Sequence, residues 1–156
     1  MAEVSETTAG VLGQAGEKAR WAVLGPGTIS ADFAVGLAQS DLGVLHAVGS
    51  SSPERAEAFA ATHGASVTGN YEEILARSDV DAVYIGTVHP AHLAQATAAL
   101  DAGKAVLCEK PLTTSYQDTS ALIAHAQERC VTLVEAFKYR FSPLYHEIIR
   151  LLRDGA

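Results

Sequence analysis

The stretch WAVLGPGTIS, Trp21–Ser30, decides the fold of this chain. A short apolar run ends in glycines, and a helix-like segment, SADFAVGLAQS, follows. An apolar run of this length that ends at glycine is typical of a buried strand. Gly25, Gly27 and Ser30 form a G-x-G-x-x-S pattern where the strand gives way to the helix. The stretch therefore predicts a strand–turn–helix unit.

The same alternation continues along the chain and predicts the fold class. We predict strands in WAVLG, LHAVGS, SVTG, VDAVYIGT, KAVLCEK and VTLVEAF. We predict helices in SADFAVGLAQS, PERAEAFAATHG, YEEILARS, PAHLAQATAALDAG, SYQDTSALIAHAQERC and SPLYHEIIRLLRDG. The strands are continuous apolar runs, which is typical of strands buried on both faces of a parallel sheet. With right-handed crossovers, the pattern predicts an α/β fold with a doubly wound parallel sheet, a Rossmann fold.

Composition and charge limit the partners of this chain. Its 156 residues are 48% hydrophobic and 19% charged, which is typical of one globular domain. The net charge of −7 argues against nucleic acid or an anionic membrane as the main partner. No apolar run reaches the roughly 18 residues that span a bilayer. Cys108 and Cys130 form no CxxC pair, so a reducing, cytoplasmic location is expected.

The glycine pattern matches the fingerprint of a dinucleotide-binding turn. Gly25 allows the tight turn, Gly27 lets the backbone approach a pyrophosphate, and the small Ser30 allows close packing of helix on strand. The helix N-terminus offers free N–H groups to the phosphates. The alternative is an ordinary glycine-rich turn, but the position between the first strand and the first helix favours the dinucleotide.

The end of the second strand bears on the choice between NAD and NADP. An acidic residue there would hold a ribose 2′-hydroxyl and repel a 2′-phosphate. Ser50, Ser51 and Ser52 supply hydroxyls instead, and Arg55 could pair with a phosphate if it turns inward. We hypothesise that the chain favours NADP or uses both cofactors. The alternative is that the serines cap the next helix, and both roles are compatible.

Polar residues follow the fourth strand at the edge where such sheets bind ligands. Gly86 and Thr87 end the strand, and His89 and His92 stand at the start of the next helix. Two histidines without carboxylate or thiolate neighbours are poor evidence for a metal, so we predict no metal site. We expect the two histidines to line the cofactor cleft or to sit at the helix start.

The next strand ends on the same edge in CEKPL, Cys108–Leu112. Lys110 there could hydrogen-bond a substrate oxygen and stabilise negative charge developing on it. Glu109 could hold ribose hydroxyls or orient the lysine, and Pro111 fixes the backbone beyond, where a cis bond is compatible with the sequence. From spacing alone, an exposed Glu109–Lys110 ion pair is an equal alternative.

Several of these segments together resemble one family. They are AVLGPGTIS, AVGSSSPERA, YEEIL, VDAVYIGTVHPAH, AGKAVLCEKPL and VEAFKYRFSP, in this order. They are similar to the glucose–fructose oxidoreductase and inositol dehydrogenase family of NAD(P)-dependent oxidoreductases, Gfo/Idh/MocA. GTVHPAH, GKAVLCEKP and EAFKYRF most resemble its dihydrodiol dehydrogenase and NADP-dependent xylose dehydrogenase branch. The resemblance covers residues 20–153.

The resemblance implies hydride transfer between a nicotinamide and a CH–OH carbon of a sugar, polyol or diol. It makes Lys110 the catalytic residue. The family often has arginine where Ser51 stands, and this departure weakens the NADP hypothesis. The expected cofactor-binding residues are Gly25, Gly27, Thr28, Ile29, Ser50, Ser51, Ser52, Arg55, Gly86, Thr87, His89, His92, Glu109, Lys110 and Arg140.

The resemblance also sets the expected domain organisation. We expect a flexible leader over residues 1–17, the dinucleotide-binding domain over 18–142, and a terminal helix over 143–156. The family's second, antiparallel-sheet domain, with most substrate contacts and the usual dimer interface, is expected to be absent. The chain is then either the cofactor domain of an oxidoreductase, or a non-catalytic dinucleotide-binding module or truncated fragment. A third, weaker hypothesis is a scaffold without cofactor. Exposed aromatic residues in VEAFKYRF predict some self-association.

Overall fold

A computed structural model describes residues 17–155, and it shows one six-stranded parallel sheet with flanking helices. The strands are β1 (Ala19–Leu24), β2 (Gly43–Gly49), β3 (Val67–Gly69), β4 (Ala82–Ile85), β5 (Ala105–Cys108) and β6 (Leu133–Glu135). The helices are α1 (Thr28–Ala38), α2 (Pro53–His63), α3 (Tyr71–Leu75), α4 (His89–Asp101), α5 (Tyr116–Glu128) and α6 (Pro143–Arg153), with a 3-10 helix at Lys138–Phe141. The predicted leader lies outside the described residues except for Glu17.

The strand order β3-β2-β1-β4-β5-β6 confirms the predicted doubly wound sheet. Every neighbouring pair is parallel. The chain moves outward from β1 through β2 to β3, and then returns to β4 on the other side of β1. This reversal leaves a crevice at the carboxyl ends of β1 and β4, which is where open sheets of this kind bind ligands.

The central strands are covered on both faces, as predicted, whereas the edge strands β3 and β6 contain no buried residue and depart from the prediction, because each has a neighbouring strand on one side only. All four residues of β4 are buried, and Val23 and Leu24 of β1 have no exposed surface. Leu100 of α4 and Leu122 of α5 pack into the same core. Burial on both faces explains why these strands show no apolar–polar alternation.

Helix signals in the sequence agree with the observed ends of α2. Ser52 is its N-cap, Pro53 takes the first position, and Gly64 ends it with a left-handed φ of 81°. Helix α1 begins at Thr28, two residues before the predicted segment, because the glycine loop leads directly into it and the Ala31 N–H donates to the Gly27 carbonyl. The site-forming turn and the helix are thus one continuous structure.

The C-terminal segment packs least. Helix α6 buries no residue, and Leu144 and Leu152 on it are 65% and 67% exposed. The predicted aromatic cluster is present nearby, with the Phe137 and Tyr139 rings 5.7 Å apart. Within residues 17–155, no helix combines the length and apolar character needed to cross a membrane.

Candidate functional site

The two helices that flank the crevice begin without a side-chain cap. Gly27 precedes α1 and Val88 precedes α4, and neither supplies a side-chain hydrogen bond to the helix. By contrast, Ser52, Asn70 and Ser115 cap α2, α3 and α5 with their side chains. The first N–H groups of a helix need partners. At α1 and α4 these donors remain available to a ligand in the crevice.

The glycine loop packs tightly against the end of β4. Gly25 has a φ of 87°, and a Cβ there would lie 2.5 Å from Thr87 Cγ2. The Ser30 hydroxyl donates to the Gly25 carbonyl at 2.7 Å, and a Cβ on Gly86 would collide with the Ser30 oxygen. Small residues at these positions let the first turn and the fourth strand meet.

Gly27 differs from its neighbours because a Cβ built on it meets nothing within 4 Å. Its φ of −125° is ordinary extended backbone, so neither packing nor conformation requires glycine here. What a side chain would fill is the open space in front of the α1 N-terminus. This cradle fits a pyrophosphate, which needs bare backbone and free N–H groups.

The serines after β2 mostly bond to one another and to the next helix. Ser50 is buried, and its hydroxyl accepts from the Ser52 N–H at 3.1 Å. The Ser52 hydroxyl accepts from the first turn of α2 and donates to Glu54 Oε2 at 2.8 Å. Ser51 is exposed. The capping alternative for Ser52 is therefore correct, and Ser51 is the most exposed of the three serines.

Arg55 turns toward the glycine loop. Its guanidinium donates to the Pro26 carbonyl at 2.9 Å, which places a positive charge between the β2 end and the loop. Glu54 brings a negative charge to the same turn, and the hydrogen bond from Ser52 lowers the pKa of its carboxyl. Sequence reasoning missed Glu54 because it lies beyond the strand tip and reaches back only through Ser52.

The two histidines after β4 have different surroundings. His89 is exposed at the start of α4, whereas His92 is fully buried. The His92 ring nitrogens lie 2.8 Å from the Pro111 carbonyl and 3.2 Å from the Thr87 carbonyl. His92 therefore ties the β4 loop to the loop after β5 from beneath, while the Thr87 hydroxyl donates to Gln95 at 2.6 Å.

The loop after β5 is fixed by partners from β4, from β6 and, through His92, from α4. The Glu109 N–H donates to Ile85 O at 2.9 Å, and the Leu112 N–H donates to Glu135 Oε1 at 2.9 Å. The bond between Lys110 and Pro111 is cis. Lys110 itself is exposed, and its ammonium has no hydrogen-bond or ion-pair partner within residues 17–155. A rigid loop thus presents an open cation.

Glu109 and Lys110 border a cleft of about 560 Å³ on the α1 side of the sheet. Its floor includes Tyr84, whose ring stacks on Phe33 with centroids 4.1 Å apart. The Tyr84 hydroxyl donates to Glu109 Oε1 at 2.8 Å. Burial, and then the bond to Glu109, raise the pKa of Tyr84 well above its ordinary value. Ile29 also lines the cleft and so connects it with the glycine loop.

Sequence reasoning missed Tyr84 and Phe33 as parts of this site. Because β4 is buried on both faces, its sequence shows no alternation that would assign Tyr84 to the cleft side. Arg140 lies in the exposed 3-10 helix but, unlike its neighbours Tyr139 and Phe141, does not line the cleft. Its carbonyl accepts from His146 Nε2 at 2.6 Å. Among residues 17–155, no cluster of three or more His, Cys, Asp or Glu could hold a metal ion.

The chain is similar in sequence to curated dehydrogenases. The chain is 38% identical to trans-1,2-dihydrobenzene-1,2-diol dehydrogenase of Xenopus tropicalis over 88% of its own length. It is 41% identical to the enzyme of the same name from Oryctolagus cuniculus over 86% of its length. It spans 42% of either relative.

A solved structure shows the same fold. KijD10, a 3-ketoreductase from Actinomadura kijaniata crystallised with NADP, superposes with a TM-score of 0.85 and 33% identity. The match covers 90% of this chain and 45% of KijD10.

Residues 19–137 match the model of the oxidoreductase family with an NAD-binding Rossmann fold, Gfo/Idh/MocA. This range includes the glycine loop, the β2 and β4 ends and the Glu109–Lys110 loop. The chain therefore belongs to the Gfo/Idh/MocA oxidoreductase family and forms its NAD(P)-binding Rossmann domain.

Proposed function

We propose that the chain binds a nicotinamide dinucleotide across the carboxyl edge of the sheet, with its pyrophosphate over Gly27. The observation that carries this proposal is the open space at Gly27 in front of the uncapped α1. Gly25, Thr28, Ile29, Gly86, Thr87 and His89 surround that path, and His92 supports it from below. Arg140 belongs to the expected set by resemblance alone.

The reaction that we propose is hydride transfer at a CH–OH carbon of a sugar, polyol or diol. The nicotinamide, when bound, accepts or supplies the hydride. Lys110 donates a hydrogen bond from its ammonium to the substrate oxygen and stabilises the negative charge that develops there. Its exposed position and rigid loop suit this role. The names of the dihydrodiol dehydrogenases and of KijD10 support a substrate with a hydroxyl or keto carbon.

NADP is the cofactor that we favour over NAD. Arg55, held beside the glycine loop, and the exposed Ser51 can meet a 2′-phosphate. Glu54 opposes this preference by like charge. Titration with NADPH and NADH compares the two cofactors directly, and Arg55→Met should weaken NADPH binding more than NADH binding. Glu54→Gln is the opposite test: it removes the negative charge beside the proposed 2′-phosphate position and should strengthen NADPH binding. Tighter binding of NADH by the parent chain would contradict the preference.

The alternative function is a dinucleotide-binding module that turns nothing over. Within residues 17–155, the cleft beside Lys110 is open on one side, and the aromatic residues Phe137, Tyr139 and Phe141 at its rim are exposed. A substrate needs walls that hold its carbon in reacting geometry. Steady-state assays over sugars and diols separate an enzyme from such a module.

The decisive experiment compares parent and Gly27→Ala chains by NADPH titration, followed by Trp21 fluorescence. The added methyl fills the space of the pyrophosphate, so we expect binding to weaken about 100-fold, or about 2.7 kcal/mol. The fold should survive because the position is unstrained. Equal affinities would contradict the proposed cofactor path.

Where turnover is measurable, Lys110→Ala should lower it by about 10²–10³-fold. Lys138→Ala, at an exposed lysine on the other side of the cleft, is the matched control. Full activity of Lys110→Ala would remove the lysine from the reaction.

We further propose that 18–142 is the cofactor-binding unit and that the aromatic segment with α6 supports self-association. Size-exclusion chromatography with light scattering tests the association, and a monomer at high concentration would contradict it. The free thiols of Cys108 and Cys130 fit a reducing cytoplasm.

A further inference from the structure

Glu109 and Lys110 are adjacent and both border the cleft, yet they do not pair. Among the ion pairs of residues 17–155, none joins the Glu109 carboxylate to the Lys110 ammonium within 4.0 Å. The exposed ion pair that the sequence left open as an alternative is therefore not formed. The Glu109 carboxylate is held by partners other than the Lys110 ammonium.

Both oxygens of Glu109 have other partners. Oε1 accepts from the Tyr84 hydroxyl at 2.8 Å, and Oε2 accepts from the Lys110 backbone N–H at 3.2 Å. The second contact is between a side chain and the next peptide group, so it is a local and weak restraint. The first joins two neighbouring strands and sets the direction of the carboxylate.

Tyr84 is well fixed for this role. Its side chain is 2% exposed, and its ring stacks on Phe33 at an interplanar angle of 4°. Burial raises the pKa of its hydroxyl, which therefore remains a proton donor throughout the neutral range. A buried donor to a carboxylate forms a stronger bond than two exposed, screened charges do. Glu109 is thus better satisfied on Tyr84 than on Lys110.

We propose that Tyr84 is a positioning residue that holds Glu109 away from the Lys110 ammonium and so leaves this cation open to a ligand oxygen. The inference deepens the proposed role of Lys110 and rests on it. Without the tyrosine hydroxyl, Glu109 would be free to turn to a cation of the cleft, and Lys110 is its neighbour in the chain. The lysine would then be neutralised by its neighbour instead of meeting a substrate.

The test measures the reactivity of Lys110 in the chain without ligand. Limited acylation with N-hydroxysuccinimidyl acetate at pH 8, followed by peptide mass spectrometry, gives the ratio of modification at Lys110 to that at Lys18. Lys18 lies before β1, at the opposite edge of the sheet. Only the neutral amine reacts, and a carboxylate on the ammonium disfavours that form.

Tyr84→Phe keeps the ring and its stacking and removes only the hydroxyl. We expect its Lys110:Lys18 ratio to fall about threefold, as a nearby carboxylate favours the charged lysine. In Glu109→Gln and in the double variant, the Glu109 carboxylate is gone and Asp32 of the cleft is unchanged, so both should match the parent. Tyr116→Phe, at a tyrosine that is 84% exposed, is the control and should change nothing.

Two results overturn the proposal. One is an unchanged ratio in Tyr84→Phe, and the other is a fall that persists in the Glu109→Gln background. If Tyr84→Phe does not fold, Glu109→Gln alone still decides: a rise of about threefold over the parent would mean that the carboxylate already sat on Lys110. NADPH titration of the parent is run in parallel, and its failure would count against the proposed function without altering the acylation result.

Discussion

Lys104 and Lys110 flank the same strand, β5, and have opposite surroundings. Lys104, before the strand, is 9% exposed and donates to the Arg77 and Val80 carbonyls at 2.6 and 2.9 Å. Lys110, after the strand, is exposed, and within residues 17–155 its ammonium has no partner. Burial lowers the pKa of Lys104. Lys104 is thus satisfied within the fold, whereas at the crevice the Lys110 ammonium and the uncapped starts of α1 and α4 keep open donors.

The difference extends to the neighbours of each lysine. At the amino edge, Asp81 accepts three hydrogen bonds from Arg20, one from the backbone and two from the guanidinium. At the carboxyl edge, α1 and α4 begin without side-chain caps. We expect substitutions of residues with buried hydrogen-bond partners to destabilise the fold, and substitutions of residues that face only the open crevice to have little effect on it. Substitutions at the two edges test this contrast.

The largest expected effect limits the contrast, because Gly25 lies at the carboxyl edge but packs against Thr87, whereas Gly27 faces open space. Gly25→Ala forces a left-handed φ on alanine and a Cβ against Thr87, so we expect the free energy of unfolding to fall by about 3 kcal/mol. Urea unfolding measures it. Gly27→Ala, with ordinary φ and open space, is the control and should stay within about 0.5 kcal/mol. Equal losses in both would show that the loop is structural throughout.

The next effect sharpens the contrast at Lys104. Lys104→Met keeps the aliphatic stem but leaves the Arg77 and Val80 carbonyls without their donor, so we expect a loss of about 2 kcal/mol. Lys138→Met, at an exposed lysine, should change stability by less than about 0.5 kcal/mol. Thermal unfolding of both variants beside the parent gives the comparison. If Lys104→Met left the free energy of unfolding unchanged, the cost of burying the ammonium would equal the stabilisation from its hydrogen bonds.

A third prediction concerns acid stability at the amino edge. The hydrogen bond with Arg20 lowers the pKa of Asp81. The ionised Asp81 carboxylate therefore adds to the free energy of unfolding above the unfolded pKa of about 3.9. This stabilisation is lost as the pH falls through the lower folded pKa. Asp81→Asn should cost about 1.5 kcal/mol at pH 7, and the gap to the parent should narrow below about pH 4. A gap that stays constant from pH 7 to pH 3 would show that ionisation of Asp81 contributes nothing.

The smallest expected effect is on the stability of Lys110→Ala. Because its ammonium bonds to nothing in the described chain, its removal should change the free energy of unfolding by less than about 0.5 kcal/mol. Urea unfolding of this variant beside Lys104→Met compares the two ends of β5 directly. If Lys110→Ala lowered the free energy of unfolding as much as Lys104→Met, the two lysines would contribute equally to stability and the contrast would be wrong.

Much of the fold could be predicted from the sequence, because the signals for strands, helices and turns lie within short segments. Pro53 and Gly64 bound α2, and the apolar run of β4 is buried throughout. The contacts across the site could not be predicted, because they join residues far apart in sequence. Arg55 reaching the Pro26 carbonyl and Tyr84 reaching Glu109 depend on which strand ends become neighbours.

The sequence by itself determined the alternation of strands and helices, the glycine loop, and the presence of Glu109 and Lys110 at a strand end. These follow from periodicity, backbone freedom at glycine and motif spacing, which are properties of short segments. Only the tertiary structure decided that Glu109 bonds to Tyr84 and leaves Lys110 open, and that His92 lies buried beneath two loops. Hydrogen-bond partners are chosen by distance and burial in the folded chain, and neither is encoded within a single segment.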